Sequence, residues 1–279
     1  MGEDVIALSL IAAAAAAVLQ PTSKWQVNFD ESQCVASREY ETGGQPLTLL
    51  FKAPASGDVI QVGIAVREGG SPDPEQLSGK LAWGTSAPLE TSALSFRSVG
   101  ASRKLFIINR PRAEVAGAAA AGVGTLSVSF GRGMHESLSL AGLPQVLKVM
   151  GECVDDLRSY WNYVDEGAEA NPKLRSRASA SLGRLFSAED YPDVAARVDL
   201  AGEVEVVLLI RPDGKVADCT MMATSGVAAL DAQTCTVIRQ RARYKPAIGL
   251  DGKPARDVDH ARIRWLLNRG EALTARTGS

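Results

Sequence analysis

Cysteine and histidine, the residues best suited to chemistry, are few and far apart in this chain. Its 279 residues include four cysteines, Cys34, Cys153, Cys219 and Cys235, and two histidines, His135 and His260. The thiols could form a redox pair, half of a metal site or disulfides. A thioredoxin-like site needs Cys-x-x-Cys and a zinc ribbon needs that motif twice, and neither occurs. One histidine in each half leaves no second imidazole at helical spacing, so no metal is expected. Asp257-Val258-Asp259-His260 could be drawn as an acid–base or metal cluster. On a strand, however, Asp257 and Asp259 share one face and His260 takes the other. Asp155 and Asp156 follow one another in a helical pattern, where neighbouring side chains diverge by about 100°. The glycine-rich stretch GVGTLSVSFGRG lacks phosphate-loop spacing and reads as turn, strand, turn. GxSxG, HExxH and Walker motifs are absent. The expectation is therefore no catalytic residue, no cofactor and no enzyme.

Four cysteines acquire a simpler use if the chain is exported, because thiols oxidise outside the cytosol. Val5 to Leu19 is an apolar run broken only by Ser9. It falls short of the roughly twenty residues of a spanning helix and suits the core of a signal peptide, with Ala15-Ala16-Ala17 as a cleavage motif. Gly2-Glu3-Asp4 is acidic where a signal peptide is basic, so a retained short anchor is the alternative. Four cysteines allow three connectivities. Pairing within each half is the simplest, Cys34 with Cys153 and Cys219 with Cys235. The net charge of −2 gives no global field for nucleic acid or an anionic membrane. Positive charge concentrates only at Arg239–Lys245, RQRARYK. That run reads as the solvated end of a helix, with a partner-facing patch as the alternative.

The length favours two domains, and 46% hydrophobic with 22% charged residues supplies two cores. After a leader over 1–20, the segments WQVNFD, CVASREY, PLTLLFK, DVIQVGIAVR, KLAWG, KLFIINR and TLSVSF recur between turn signals. Those signals include Gly43-Gly44, Ser56-Gly57, Gly69-Gly70 and Ser71-Pro72-Asp73-Pro74. They predict a mostly antiparallel β domain over 25–164. One helix closes it, with Leu143, Val146, Leu147, Met150, Cys153, Val154 and Leu157 on one apolar face. A Cys34–Cys153 bond would tie that helix to the first strands. Residues 165–187 are small and polar and read as a linker with a short helix. From 188 to 267 the order is helix, strand, strand, helix, strand, a small α+β domain, followed by a tail over 268–279. Val194, Ala195 and Val198 are expected to share one face of its first helix, and Leu230, Thr234, Val237 and Ile238 to face inward on the second.

This second block resembles the TonB C-terminal domain, the periplasmic end of a bacterial energy transducer for outer-membrane uptake. The series runs Tyr191-Pro192 with Ala195, Gly202 before VEVVLLI, PDGKV, Ser225-Gly226, Leu230-Asp231, RQRARYKPA, Gly252-Lys253-Pro254 and a final strand. Pro192 would start the helix, Gly214 would take the positive-φ place in the turn, and Pro246 would end a short edge strand. The resemblance implies binding by strand addition, with a peptide from an envelope or outer-membrane transport protein held along the last strand, roughly Asp257 to Leu267. Arg262, Arg264 and Trp265 are then the candidate contacts; the alternative places Trp265 in the core and both arginines in solvent. It also puts Cys219 on the second strand and Cys235 on the helix above it, a staple between helix and sheet. A periplasmic location, a homodimer through the sheet edge and inner-membrane association through the apolar run complete the expected partners and setting. A full transducer has a longer membrane helix and an extended proline-rich spacer; here a β domain stands in the spacer's place. Two alternatives stay open: a periplasmic enzyme with its site in the β domain, and a structural envelope protein.

Overall fold

The computed structural model describes residues 17–67, 74–98, 103–165, 167 and 170–267. The apolar run up to Ala16, the turn signals Gly69-Gly70 and Ser71-Pro72-Asp73, and the tail over 268–279 lie outside the described residues. The fold is α+β, a large antiparallel sheet with few helices followed by a small α+β region.

Nine strands make the large sheet: β1 Gln26–Phe29, β2 Gln33–Thr42, β3 Gln45–Pro54, β4 Val59–Val66, β5 Glu75–Trp83, β6 Leu89–Ser98, β7 Arg103–Pro111, β8 Thr125–Phe130 and β9 Met134–Ser139. Their order is β1-β2-β3-β4-β7-β6-β5-β8-β9. Leu47, Leu49, Phe51 and Ala53 of β3, Ile60, Val62 and Ile64 of β4, and Leu126, Val128 and Phe130 of β8 are all buried. Their two-residue spacing sends one side of each strand inward.

The sheet closes on itself. Leu19 N–H donates to Ser137 O at 2.7 Å and Leu19 O accepts from Ser139 N–H at 3.0 Å, both on β9. Thr22 N–H donates to Glu39 O of β2 at 2.8 Å, and Tyr40 Oη of β2 donates to Ser139 O at 2.6 Å. The end of the apolar run thus bridges β9 to β2 and closes the sheet there, while the short strand β1, paired farther along β2, keeps its place at the end of the sheet order.

Helices α1 (Arg112–Ala120) and α2 (Leu143–Tyr160) pack on each other, α1 against β4 and β7, and α2 against β1, β2 and β3. The α2 stripe is buried as its spacing predicts, with Leu147 half-buried. Each such side chain contributes about 1.5–3 kcal/mol. A Cys34–Cys153 disulfide, with Cα atoms 6.1 Å apart, links β2 to α2. Strands β6 and β9 and helix α1 have no counterpart in the sequence reading. The inward places of β6 are taken by Ala93 and Ser95, so no apolar alternation marks it. Helix α1 is RAEVAGAAA, with only Val115 and Ala119 buried.

The remaining elements are β10 Leu174–Ser176, α3 Asp193–Ala196, β11 Gly202–Ile210, β12 Val216–Ala223, α4 Ala228–Arg241, β13 Ala247–Gly249, β14 Pro254–Ala255 and β15 Asp257–Trp265. One sheet runs β12-β11-β15 and a smaller one β10-β13-β14. Helix α4 lies on the first sheet and buries Leu230, Thr234, Val237 and Ile238. Three expectations need correction. Helix α3 is a single turn, so Val194 and Val198 are 54% and 64% exposed while Ala195 alone is buried. Residues 165–187 are no plain spacer: Leu174–Ser176 pairs with β13, and Leu182 and Phe186 enter the second core. Their apolar positions follow no period, which hid them. Pro246 precedes β13 rather than ending it.

The sheet's other face meets the barrel. Leu209 and Val258 belong to the barrel's core cluster. Asn109 Nδ2 donates to Met221 O at 3.3 Å and Asn162 Nδ2 to Arg256 O at 2.8 Å. Burial there pushes the Lys52 ammonium below its ordinary pKa, with Asp218 acting against the shift. Among the described residues no helix is long and apolar enough to cross a membrane.

Candidate functional site

The last strand, DVDHARIRW, alternates in two senses. Asp257, Asp259, Ala261, Ile263 and Trp265 turn their side chains to the α4 side, where Ala261, Ile263 and Trp265 join the second core. Val258, His260, Arg262 and Arg264 turn theirs to the other face. Strand backbone alternates in the same phase. β15 pairs antiparallel with β11, with Asp257 opposite Ile210 and Trp265 opposite Gly202. On β11, the Arg211 N–H just past the strand donates to Lys215 O, toward β12. Ile210, Leu208, Val206 and Val204 therefore face β15 and bond the odd-numbered residues Asp257 to Ile263. The N–H and C=O groups of Val258, His260, Arg262 and Arg264 point away from β11, to the outside of the sheet.

The first half of that outer edge is occupied. Val258 N–H donates to Asp257 Oδ1 at 2.9 Å, and Val258 O accepts from Arg177 Nη2 at 2.5 Å. His260 N–H bonds the Asp259 carboxylate. Asp257, with none of its surface exposed, also receives Arg177 Nε at 2.8 Å and Ala178 N–H at 2.8 Å. A buried carboxylate so bonded leaves no stray charge. Carboxylates and an arginine blunt the edge here, a usual defence of a sheet margin. The outward groups of the second half belong to Arg262 and Arg264. Among the described residues no strand pairs with β15 on that side.

The three candidate contacts separate into two kinds. Arg262 Nε lies 2.7 Å from Glu205 Oε1, and Arg264 Nη2 lies 2.8 Å from Glu203 Oε2. Each arginine stands directly opposite its glutamate on β11. These pairs are about half exposed and contribute a few tenths of a kcal/mol to about 1 kcal/mol each. Trp265 is a core residue instead, 1% exposed. Its ring meets Phe186 and Tyr191 edge-on at 5.3 and 5.5 Å, and Nε1 donates to Thr234 Oγ1 at 2.9 Å. Its role is to fix the end of β15, and the partner contact expected of its side chain is withdrawn.

The surrounding bonds hold the strand in place. Burial raises the Asp259 carboxyl above its usual range, while Tyr244 Oη donates to it at 2.7 Å. Burial and that carboxylate push the Tyr244 hydroxyl far up in turn. Gly214 has φ 79° in the PDG turn, and its carbonyl accepts from Tyr244 N–H at 2.8 Å. A Cβ at Gly214 would overlap the Tyr244 carbonyl oxygen. The Cys219–Cys235 disulfide, Cα atoms 5.7 Å apart, pins α4 to β12. Asp231 caps the start of α4 by accepting from Ser225 N–H at 2.8 Å, Ser225 Oγ at 2.7 Å and Thr224 Oγ1. The basic run is absorbed locally. Arg239 bonds Asp218 and Arg241 bonds Asp190, both at the carboxyl end of α4, where positive charge is favoured.

The residues first suspected of chemistry do not converge. His135 Nδ1 lies 2.8 Å from Ser129 Oγ on the outside of the barrel. His260 Nε2 faces Val164 O at 3.3 Å in the C-terminal region. Asp155 and Asp156 are exposed on α2. GVGTLSVSFGRG is turn, β8, turn. Among the described residues no three His, Cys, Asp or Glu side chains gather as a metal site. Sequence reasoning missed the capping of the edge by Arg177, Asp257 and Asp259, for which DVDH was the only signal.

Residues 187–266 match the family described as Gram-negative bacterial TonB protein C-terminal. Comparisons with curated proteins and with solved structures gave no match.

Proposed function

We propose that this is an exported cell-envelope protein whose TonB-type C-terminal region docks an extended peptide of an envelope or outer-membrane transport protein. The peptide adds to β15 as a further strand over its second half, at Arg262–Trp265. The observation that carries this reading is the outward direction of the Arg264 backbone groups on a strand at the margin of its sheet. Backbone bonds there supply affinity and the flanking side chains supply choice. The region works by binding and not by catalysis. The match over 187–266 supports a protein-interaction role in envelope transport and a periplasmic or envelope location. The barrel sits where a transducer would have its spacer, which favours docking or assembly over the transmission of force.

The test is capture of envelope proteins from a membrane extract by the full chain and by Arg264→Pro and Arg264→Ala variants. The proline variant should lose partners that the alanine variant keeps. Equal recovery by both would overturn strand addition at this edge.

A further inference from the structure

A second surface, remote from the outer edge of β15, combines features that select a ligand. Between the end of β1 and the last turns of α2 lies an open groove of 390 Å³. Its walls are two aromatic rings, Phe29 and Tyr160, which are 62% and 43% exposed. Leu157 and the disulfide-bonded Cys153 form the floor, and Asp30, Glu31 and Asp156 line it with carboxylates. Folding does not explain these residues, since an aromatic ring left mostly in water gains little from the core.

The chain already shows what this chemistry holds. The Arg256 guanidinium lies 3.8 Å from the centre of the Tyr160 ring and bonds its hydroxyl. Glu31 is paired with Arg211 at 3.7 Å. Those arginines come from the C-terminal region. Asp30 and Asp156 form no ion pair among the described residues, and the Phe29 ring has no cation over it. Aromatic faces beside carboxylates bind a cation better than either group alone. β1 also ends the sheet order, so an extended segment can lie along it.

We propose that this groove binds a basic peptide segment, seating an arginine or lysine side chain between Phe29 and Tyr160 against Asp30 and Asp156, with an aliphatic neighbour on Leu157. The site belongs to the barrel and does not depend on the function proposed for β15.

The probe is the capped peptide Arg-Leu-Arg-Leu-Arg, titrated into the full, disulfide-intact chain and followed by amide NMR shifts. Gln-Leu-Gln-Leu-Gln and Glu-Leu-Glu-Leu-Glu peptides are the controls. Saturable binding is expected with shifts confined to residues 29–31 and 156–161, weakening as salt rises. The Asp30→Asn, Asp156→Asn double variant should lose about fivefold in affinity, as two partly exposed charge contacts imply. Phe29→Ala should lose a similar amount. These side chains are exposed, so the variants fold, which unchanged far-UV spectra verify. Equal binding of the glutamine peptide would make the groove a general apolar dock and overturn the proposal. Shifts mapping to residues 262–265 would do the same, as would a dimer that Phe29→Ala dissolves.

Discussion

Proline scanning along β15 separates the inward from the outward phase of the strand. At position 264 the lost N–H points away from β11, so Arg264→Pro removes no ladder bond. Its cost is the Arg264–Glu203 pair, whose side chains are 55% and 36% exposed, plus local backbone adjustment, about 1 kcal/mol together. At position 263 the lost N–H points into the ladder opposite Val204, stranding a carbonyl at about 1–3 kcal/mol. Ile263 is fully buried as well, and shrinking its side chain adds at least about 1–2 kcal/mol. Ile263→Pro should therefore cost about 4 kcal/mol. Urea unfolding followed by circular dichroism measures both, and a difference of about 3 kcal/mol is expected. Equal loss of stability in the two variants would refute the assigned phase, and with it the outward direction of Arg264.

Further tests address the parts that hold the strand. Replacing Cys219 and Cys235 together by serine should cost about 3 kcal/mol, since the bond spans a separation of 16 residues; chemical unfolding measures it. Trp265→Ala should cost about 3–5 kcal/mol as a core truncation, and Trp265→Phe about 1 kcal/mol through the lost bond to Thr234; a surface tryptophan would give almost nothing. Hydrogen bonds from Arg241, foremost, hold the Asp190 carboxyl below its ordinary pKa. The stabilisation it contributes is present above pH about 3.8 and is lost as pH falls through the lowered folded-state value. Asp190→Asn should thus be less stable than the parent at neutral pH, with the gap closing in that acid window.

What the sequence made legible follows from how locally each feature is written. The α2 stripe and the α4 positions Leu230, Thr234, Val237 and Ile238 show a helical period, and all but Leu147 prove to be buried. PDG specifies its own turn. Strand β6 stayed hidden because a closed barrel can turn Ala93 and Ser95 inward where space is tight. Leu19 stayed hidden because a strand residue at the end of an apolar run has the composition of a leader. Trp265 stayed open between core and contact for a different reason. Alternation says that Ile263 and Trp265 share a face, but only α4 and Phe186 decide that this face is the core. Asp257 and Asp259 suggested chemistry because carboxylates at that spacing suit it. Their use as caps for the edge becomes visible only once Arg177 arrives from far along the chain.

A photo-crosslinking residue at position 264 tests the central claim most directly. Placed there in the living cell, and in parallel at Glu189 and Gln233 away from the edge, it samples what lies beside β15. Mass spectrometry of the adducts should find one short segment of an envelope protein joined at 264 and absent from the other two positions. The same adducts at all three positions, or none at 264 while the others react, would contradict docking at this edge.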